Sequence, residues 1–115
     1  WVQANEHIDA IISMNDNMCA GALEVVKDDP AYEGVLAYGV DGTAEACLLI
    51  QEGRMTSTGL QSAIDLAQMN TDYVHKVLTG EMEVTDVRDD VPAPLITADN
   101  VEEYIEMYKE NGQIK

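Results

Sequence analysis

Three short apolar runs each end on a polar residue, and each leads straight into a helix-like segment. Ile8-Asp9-Ala10-Ile11-Ile12-Ser13-Met14 is followed by Asn15 and Asp16, Val35-Leu36-Ala37-Tyr38-Gly39-Val40 by Asp41 and Gly42, and Met55-Thr56-Ser57-Thr58-Gly59-Leu60 by Gln61. Runs of this length and character read as buried strands. Alternation of strand and helix predicts a parallel α/β sheet, whose strand carboxyl ends share one edge where ligands bind. Asn15, Asp41 and Gln61 are therefore expected to converge.

The remaining elements fall around these runs. Trp1 to Glu6 reads as the end of a helix. A helix is expected over 16–28, with Met18, Cys19, Ala22, Leu23 and Val26 inward and Asp28-Asp29-Pro30 as its stop. Thr43 can cap the next helix, which carries Ala46, Cys47, Leu49 and Ile50 and ends at Gly53. Ser62-Ala63-Ile64-Asp65 has the form of a capping box. It opens a longer helix over 63–79, with Ile64, Ala67, Val74, Val77 and Leu78 inward and Gly80 as its end. Glu81 to Asp90 is polar and reads as a loop or an edge. The prolines in Val91-Pro92-Ala93-Pro94-Leu95-Ile96 forbid helix and suit a connector or a sheet edge. Thr97 is expected to cap a last helix with Val101, Tyr104, Ile105 and Tyr108 inward. Right-handed crossovers would put the first two full helices on one face of the sheet. The fold class is α/β, a three-layer Rossmann-like parallel sheet. Three parallel strands make a thin sheet, and the first residue is Trp1 rather than Met, so a piece of a longer chain is expected.

Composition narrows the partners. The 115 residues carry 22 acidic and 6 basic side chains, a net charge of −16, which repels nucleic-acid phosphates and anionic membranes. No apolar stretch nears the ~20 residues a bilayer span needs. Cys19 and Cys47 match no metal spacing or redox motif and read as buried small hydrophobes; a disulfide between adjacent helices is the alternative. No metal and no cofactor is implied. His7 and His75 read as surface or packing residues, and the tyrosines and methionines as packing.

At the strand ends the sequence resembles the ribose/galactose type of sugar-binding protein that serves ABC importers. The matching pieces are Ile8 to Met18 with Gly21-Ala22, Tyr38-Gly39-Val40-Asp41-Gly42-Thr43, Glu52-Gly53-Arg54-Met55 with Thr58-Gly59-Leu60-Gln61, and Ile96-Thr97-Ala98-Asp99-Asn100-Val101. The resemblance implies a partial lobe of a type I periplasmic-binding-protein fold, in which two lobes close over a sugar. On that plan residues 1–61 are the second half of the C-terminal lobe. Residues 62–91 belong to the N-terminal lobe, and residues 92–115 return as a hinge strand and final helix. It further implies an extracytoplasmic protein, periplasmic or a cell-surface lipoprotein, that hands a monosaccharide to an ABC permease. Membrane contact would come only through the permease or a lipid anchor. An isolated fragment would expose strand edges and apolar faces that favour dimerisation.

The chemistry of the strand-end residues agrees. A carboxylate accepts strong bonds from two neighbouring hydroxyls, and carboxamides donate and accept at once. Asp41 is the expected sugar anchor, with Asn15 and Gln61 beside it and Gly42 keeping backbone bulk out of the cleft. Each has a plainer role: Asp41 as an N-cap or Asx-turn residue, Asn15 as a helix cap, Gln61 as a partner of nearby backbone. Asp16 reads as the cap of its helix rather than a ligand. The effector domain of a LacI-type regulator and a sugar-sensing ectodomain share the plan and stand as alternatives. An enzyme is not expected, because there is no nucleophile elbow, phosphate loop or metal-ligand cluster, and glycoside hydrolysis needs two carboxylates where only that of Asp41 is placed at the mouth.

Overall fold

All three apolar runs become parallel strands, the first and third shorter than their apolar lengths and the second shifted by one residue. In the computed structural model, which describes residues 1–5, 7–87 and 89–115, they are β1 (Ala10–Ile12), β2 (Leu36–Asp41) and β3 (Ser57–Leu60). A fourth strand, β4 (Leu95–Thr97), pairs antiparallel with β3 at the sheet edge, giving the order β1-β2-β3-β4. Pro94 suits this place, because its carbonyl accepts from Leu60 N–H (2.9 Å) while the N–H it lacks is not called on. The chain divides into two units, Trp1–Leu60 with Pro94–Lys115, and Gln61–Ala93.

In the first unit, helices α1 (Asp16–Val26) and α2 (Ala44–Gln51) follow β1 and β2. α2 packs against both α1 and the last helix of the chain (Val101–Glu110), so all three lie on one face of the sheet. Right-handed crossovers require this of the first two. Ile11 and Ala37 face these helices as register partners, and Gly39, Thr58 and Ile96 form the next row on the same face. Ala37, Cys47 and Ile96 are wholly buried there. Each large aliphatic chain so buried contributes about 1.5–3 kcal/mol. The opposite face carries Ile12, 84% exposed, and Leu36.

α2 buries the Ala46, Cys47, Leu49 and Ile50 expected of it, and Thr43 caps it, its hydroxyl accepting from Ala46 N–H at 3.2 Å. On α1 the inward stripe is rotated from expectation. Asp16, Cys19, Ala20, Leu23 and Val26 are buried, whereas Met18 is exposed. The last helix buries Val101 and Ile105 as expected but begins later than Thr97 suggests. The Asn100 side chain accepts from Thr97 N–H (2.8 Å) and donates to Leu95 C=O (3.0 Å), holding residues 98–100 as a turn. The Thr97 hydroxyl serves that turn by accepting from Asp99 N–H. At the amino end Trp1–Asn5 makes one turn, with Ala4 and Asn5 both donating to the Trp1 carbonyl. The expected helix end reaches Glu6, which lies outside the described residues.

The second unit holds α3 (Ala63–Leu78), which makes the last helix of the first unit α4. Ser62 caps α3, its hydroxyl accepting from Asp65 N–H at 3.2 Å. The inward positions expected on this helix are not covered: no residue of α3 is buried, and Leu78 is 81% exposed. An apolar stripe is buried only when another element covers it, and beyond α3 the described residues of this unit add only turns, among them a 3₁₀ turn (Val84–Asp86), and irregular chain. The expected loop over Glu81–Asp90 includes Arg88, outside the described residues. None of the described helices is long and apolar enough to cross a membrane.

Candidate functional site

The carboxyl edge of the parallel strands is built first by β1 and α1. Past β1 the chain stays paired, Ser13 N–H donating to Tyr38 C=O at 2.9 Å. Asn15 follows in an extended conformation (φ −154°, ψ 170°), and its Oδ1 accepts from Met18 N–H at 2.9 Å. Asn15 is thus the N-cap of α1 and Asp16 is not, which corrects the expectation for Asp16. Both are good capping residues, and the buried side of the helix decides between them. Capping uses one carboxamide oxygen, so both N–H groups of the Asn15 nitrogen remain without a partner among the described residues.

Asp16, 1% exposed, instead turns into the interior. Its Oδ1 accepts from the Thr58 hydroxyl at 2.6 Å and its Oδ2 from Thr43 N–H at 2.7 Å. Thr58, wholly buried, in turn accepts from Gly42 N–H at 3.1 Å. The Gly42 carbonyl accepts from the Tyr108 hydroxyl of α4. Gly39 makes room: a Cβ there would sit 2.3 Å from Asp16 Oδ1 and 2.6 Å from Met55 Cε. A buried carboxylate is costly unless it is fully hydrogen-bonded, and these partners supply the bonds. Sequence reasoning missed this network. Asp16 lies three, four and seven residues before Cys19, Ala20 and Leu23, so its place on the buried stripe was the available signal.

Asp41 ends β2 beside this network. It is half-buried and has φ 116°, a left-handed region that residues with a Cβ resist. Its carboxylate has no hydrogen-bond partner among the described residues, in contrast to that of Asp16. Gly42 also has positive φ, 71°, and the space left by its missing Cβ faces inward: a Cβ would lie 2.7 Å from Leu60 Cδ1. The expectation that Gly42 clears the cleft is corrected accordingly, since it clears the core. The structure thus brings Asn15 and Asp41 to one sheet edge. Gln61 follows Leu60, the register partner of Asp41, and opens the second unit, where it is exposed.

Burial sets the ionisation of the groups behind this edge. Cys19 and Cys47 are free and fully buried. Burial pushes the Cys47 thiol up to about 11, and the charge of Asp16 adds to the effect. Burial likewise raises the Tyr108 hydroxyl, keeping it a donor to Gly42. At the other end of the sheet, a cavity of about 380 Å³ is lined by Tyr32, Val35, Lys27 and Arg54 and shares no residue with Asn15 or Asp41.

The sequence matches the family described as the periplasmic binding protein domain over residues 1–82. It is 30% identical over 107 residues to a xylitol-binding protein of Mycolicibacterium smegmatis, covering 92% of this chain and 30% of that protein. It is 35% identical over 65 residues to the D-allose-binding periplasmic protein of Escherichia coli, covering 56% of this chain and 21% of that one. An ABC transporter solute-binding protein from Bacillus halodurans, solved with bound myo-inositol, superposes with a TM-score of 0.80 at 30% identity, covering 94% of this chain and 37% of that one. The chain therefore spans roughly a third or less of the length of these relatives. With a family match over well more than half of its residues and a strand-end architecture to go with it, the chain belongs to the periplasmic binding protein domain family.

Proposed function

We propose that this chain is part of an extracytoplasmic solute-binding protein that captures a monosaccharide or related polyol and delivers it to an ABC permease, with no catalysis. Asp41 is the anchor, accepting from two adjacent hydroxyls. Asn15 contributes its free carboxamide N–H groups, and Gln61 is a further sugar contact. Residues 1–61 belong to one lobe, 62–91 to the other, and 92–115 return to the first. The division into units at Gln61 and Pro94 supports that assignment. The relatives named above for xylitol, D-allose and myo-inositol support the ligand class, a compact molecule bearing several hydroxyls.

One observation carries the reading. Asp41 is a strand-end carboxylate held at a strained φ of 116° with no partner among the described residues. Strain of this kind costs of order 1–3 kcal/mol and persists where the surroundings over-determine it. A carboxylate kept available at a sheet edge is set to receive charge-assisted bonds from a ligand. The test uses the full protein carrying this chain. A thermal-shift screen against xylitol, D-allose, myo-inositol, D-ribose and D-galactose should give a selective upward shift, because a ligand that prefers the native state stabilises it. Asp41→Ala should then cost about 3 kcal/mol or more of binding free energy by calorimetry. An unchanged affinity would remove Asp41 from the site.

A further inference from the structure

Three consecutive backbone groups after Asp41 are fastened to side chains, two of them buried (Asp16 and Thr58) and one, Tyr108, half-buried. Gly42 N–H donates to Thr58 Oγ, Gly42 C=O accepts from Tyr108, and Thr43 N–H donates to Asp16 Oδ2. Asp16 controls two of the three, one directly and one through Thr58, whose hydroxyl proton it accepts at 2.6 Å. That proton's direction leaves the Thr58 oxygen's lone pairs for Gly42 N–H. Neither Gly39 nor Gly42 could carry a Cβ without striking Asp16 or Leu60, so helix, strand end and turn are seated closely. The turn so held directly follows Asp41, whose φ is 116°.

We propose that Asp16 is a positioning residue for sugar capture, setting the direction of the Asp41 carboxylate through the Gly42-Thr43 backbone. The proposal rests on the reading of Asp41 as the sugar anchor. A carboxylate is required because two donors converge on it, Thr43 N–H and Thr58 O–H. An asparagine offers one acceptor oxygen, and its NH₂ would face one of those donors. Releasing the turn lets Asp41 relax from its strained conformation, and its oxygens move from where a ligand's hydroxyls meet them. Small misplacements of a binding group carry large penalties.

The test compares Asp16→Asn, Thr58→Val and Thr58→Ser in the full protein. Amide hydrogen exchange at Gly42 and Thr43, without ligand, reads the turn. Calorimetric titration with xylitol, D-allose, myo-inositol and D-ribose reads binding, repeated in an Asp41→Asn background. Asp16→Asn and Thr58→Val should each speed exchange at the two amides and weaken binding about tenfold or more. Thr58→Ser, which keeps the hydroxyl, should restore both. The loss from Asp16→Asn should shrink to within about twofold when Asp41 is already Asn, because coupled residues are not additive. Unaltered exchange at Gly42 and Thr43, or a binding loss of equal size in both backgrounds, overturns the proposal and leaves the sugar reading standing. Failure of every probe to bind the unaltered protein sinks the sugar reading, and the proposal with it. Should Asp16→Asn fail to fold, Thr58→Val and Thr58→Ser decide by the same measurements.

Discussion

Helix α1 carries a carboxylate near each end, and each is shared by two partners, yet the two are built for different purposes. Asp16, at the first turn, is dry and bound by Thr43 N–H and the Thr58 hydroxyl. Glu24, near the last turn, lies in solvent and is bound by Lys27 Nζ and an Arg54 guanidinium nitrogen, both at 2.8 Å. Counted by partners they are equals. They differ in what replaces those partners when one is lost. Water replaces them at Glu24, whereas at Asp16 nothing does. The cost of an unmade bond, rather than the strength of a made one, should therefore rank their importance.

The largest effect expected is that of Asp16→Ala. It strands two donors, the buried Thr58 hydroxyl and the half-buried Thr43 N–H, and leaves a gap beneath β2, and should destabilise the protein by about 3–5 kcal/mol in a urea titration. A loss below about 1 kcal/mol would mean that water reaches the network and that the two ends of α1 are alike after all. Gly39→Ala tests the same seat from the strand side. Its Cβ would meet Asp16 Oδ1 at 2.3 Å, against backbone that cannot easily retreat, because Asp16 Cα lies at 3.2 Å. A destabilisation of about 2–3 kcal/mol is expected. A neutral result would show that α1 is free to slide over β2.

Asp41→Gly probes the neighbour that this seat constrains, and its sign should be opposite. Glycine accepts a φ of 116° without strain. The change should raise stability by about 1 kcal/mol, read as an increased urea midpoint, while abolishing the proposed sugar binding in the full protein. A destabilised variant would show that the Asp41 side chain supports the fold, which would weaken the case that it is kept for a ligand.

The sequence conceals the role of Asp16 for a definite reason. Strand-end logic brings Asn15 and Asp41 to one edge, and short-range apolar spacing places Ala46, Cys47, Leu49 and Ile50 correctly on α2. Both depend on neighbours a few residues away. Asp16 depends on Thr43, 27 residues on, and on Thr58, 42 residues on. No local pattern announces such partners, and a polar residue at a helix start is naturally read as a cap. The positive φ of Asp41 was hidden as well, since aspartate is not a residue whose presence announces left-handed backbone. On α3 the apolar spacing was legible, but what covers it was not. The contrast with α4, whose Val101 and Ile105 are buried, shows that amphipathic spacing states a demand that the rest of the structure must meet.

The smallest effect belongs to Glu24, and it sharpens the comparison through pH. The hydrogen bond from Lys27, then that from Arg54, holds its carboxyl at about 2, below the usual 4.5. The folded-state value lies below the unfolded one, so the ion pairs contribute above about 4.5, and the contribution fades as pH falls through about 2. Glu24→Gln should therefore lower Tm slightly at neutral pH. The gap from the unaltered protein should close as the solution is acidified towards that range, and added salt should close it at any pH, because exposed pairs are screened. The depressed pKa records a strong preference for the charged form without implying a large share of stability, since Lys27 and Arg54 are well solvated when Glu24 is absent. A large Tm loss that survived high salt would mean that partner number, and not burial, sets the worth of a carboxylate on this helix. The ranking of Asp16 above Glu24 would then have no basis.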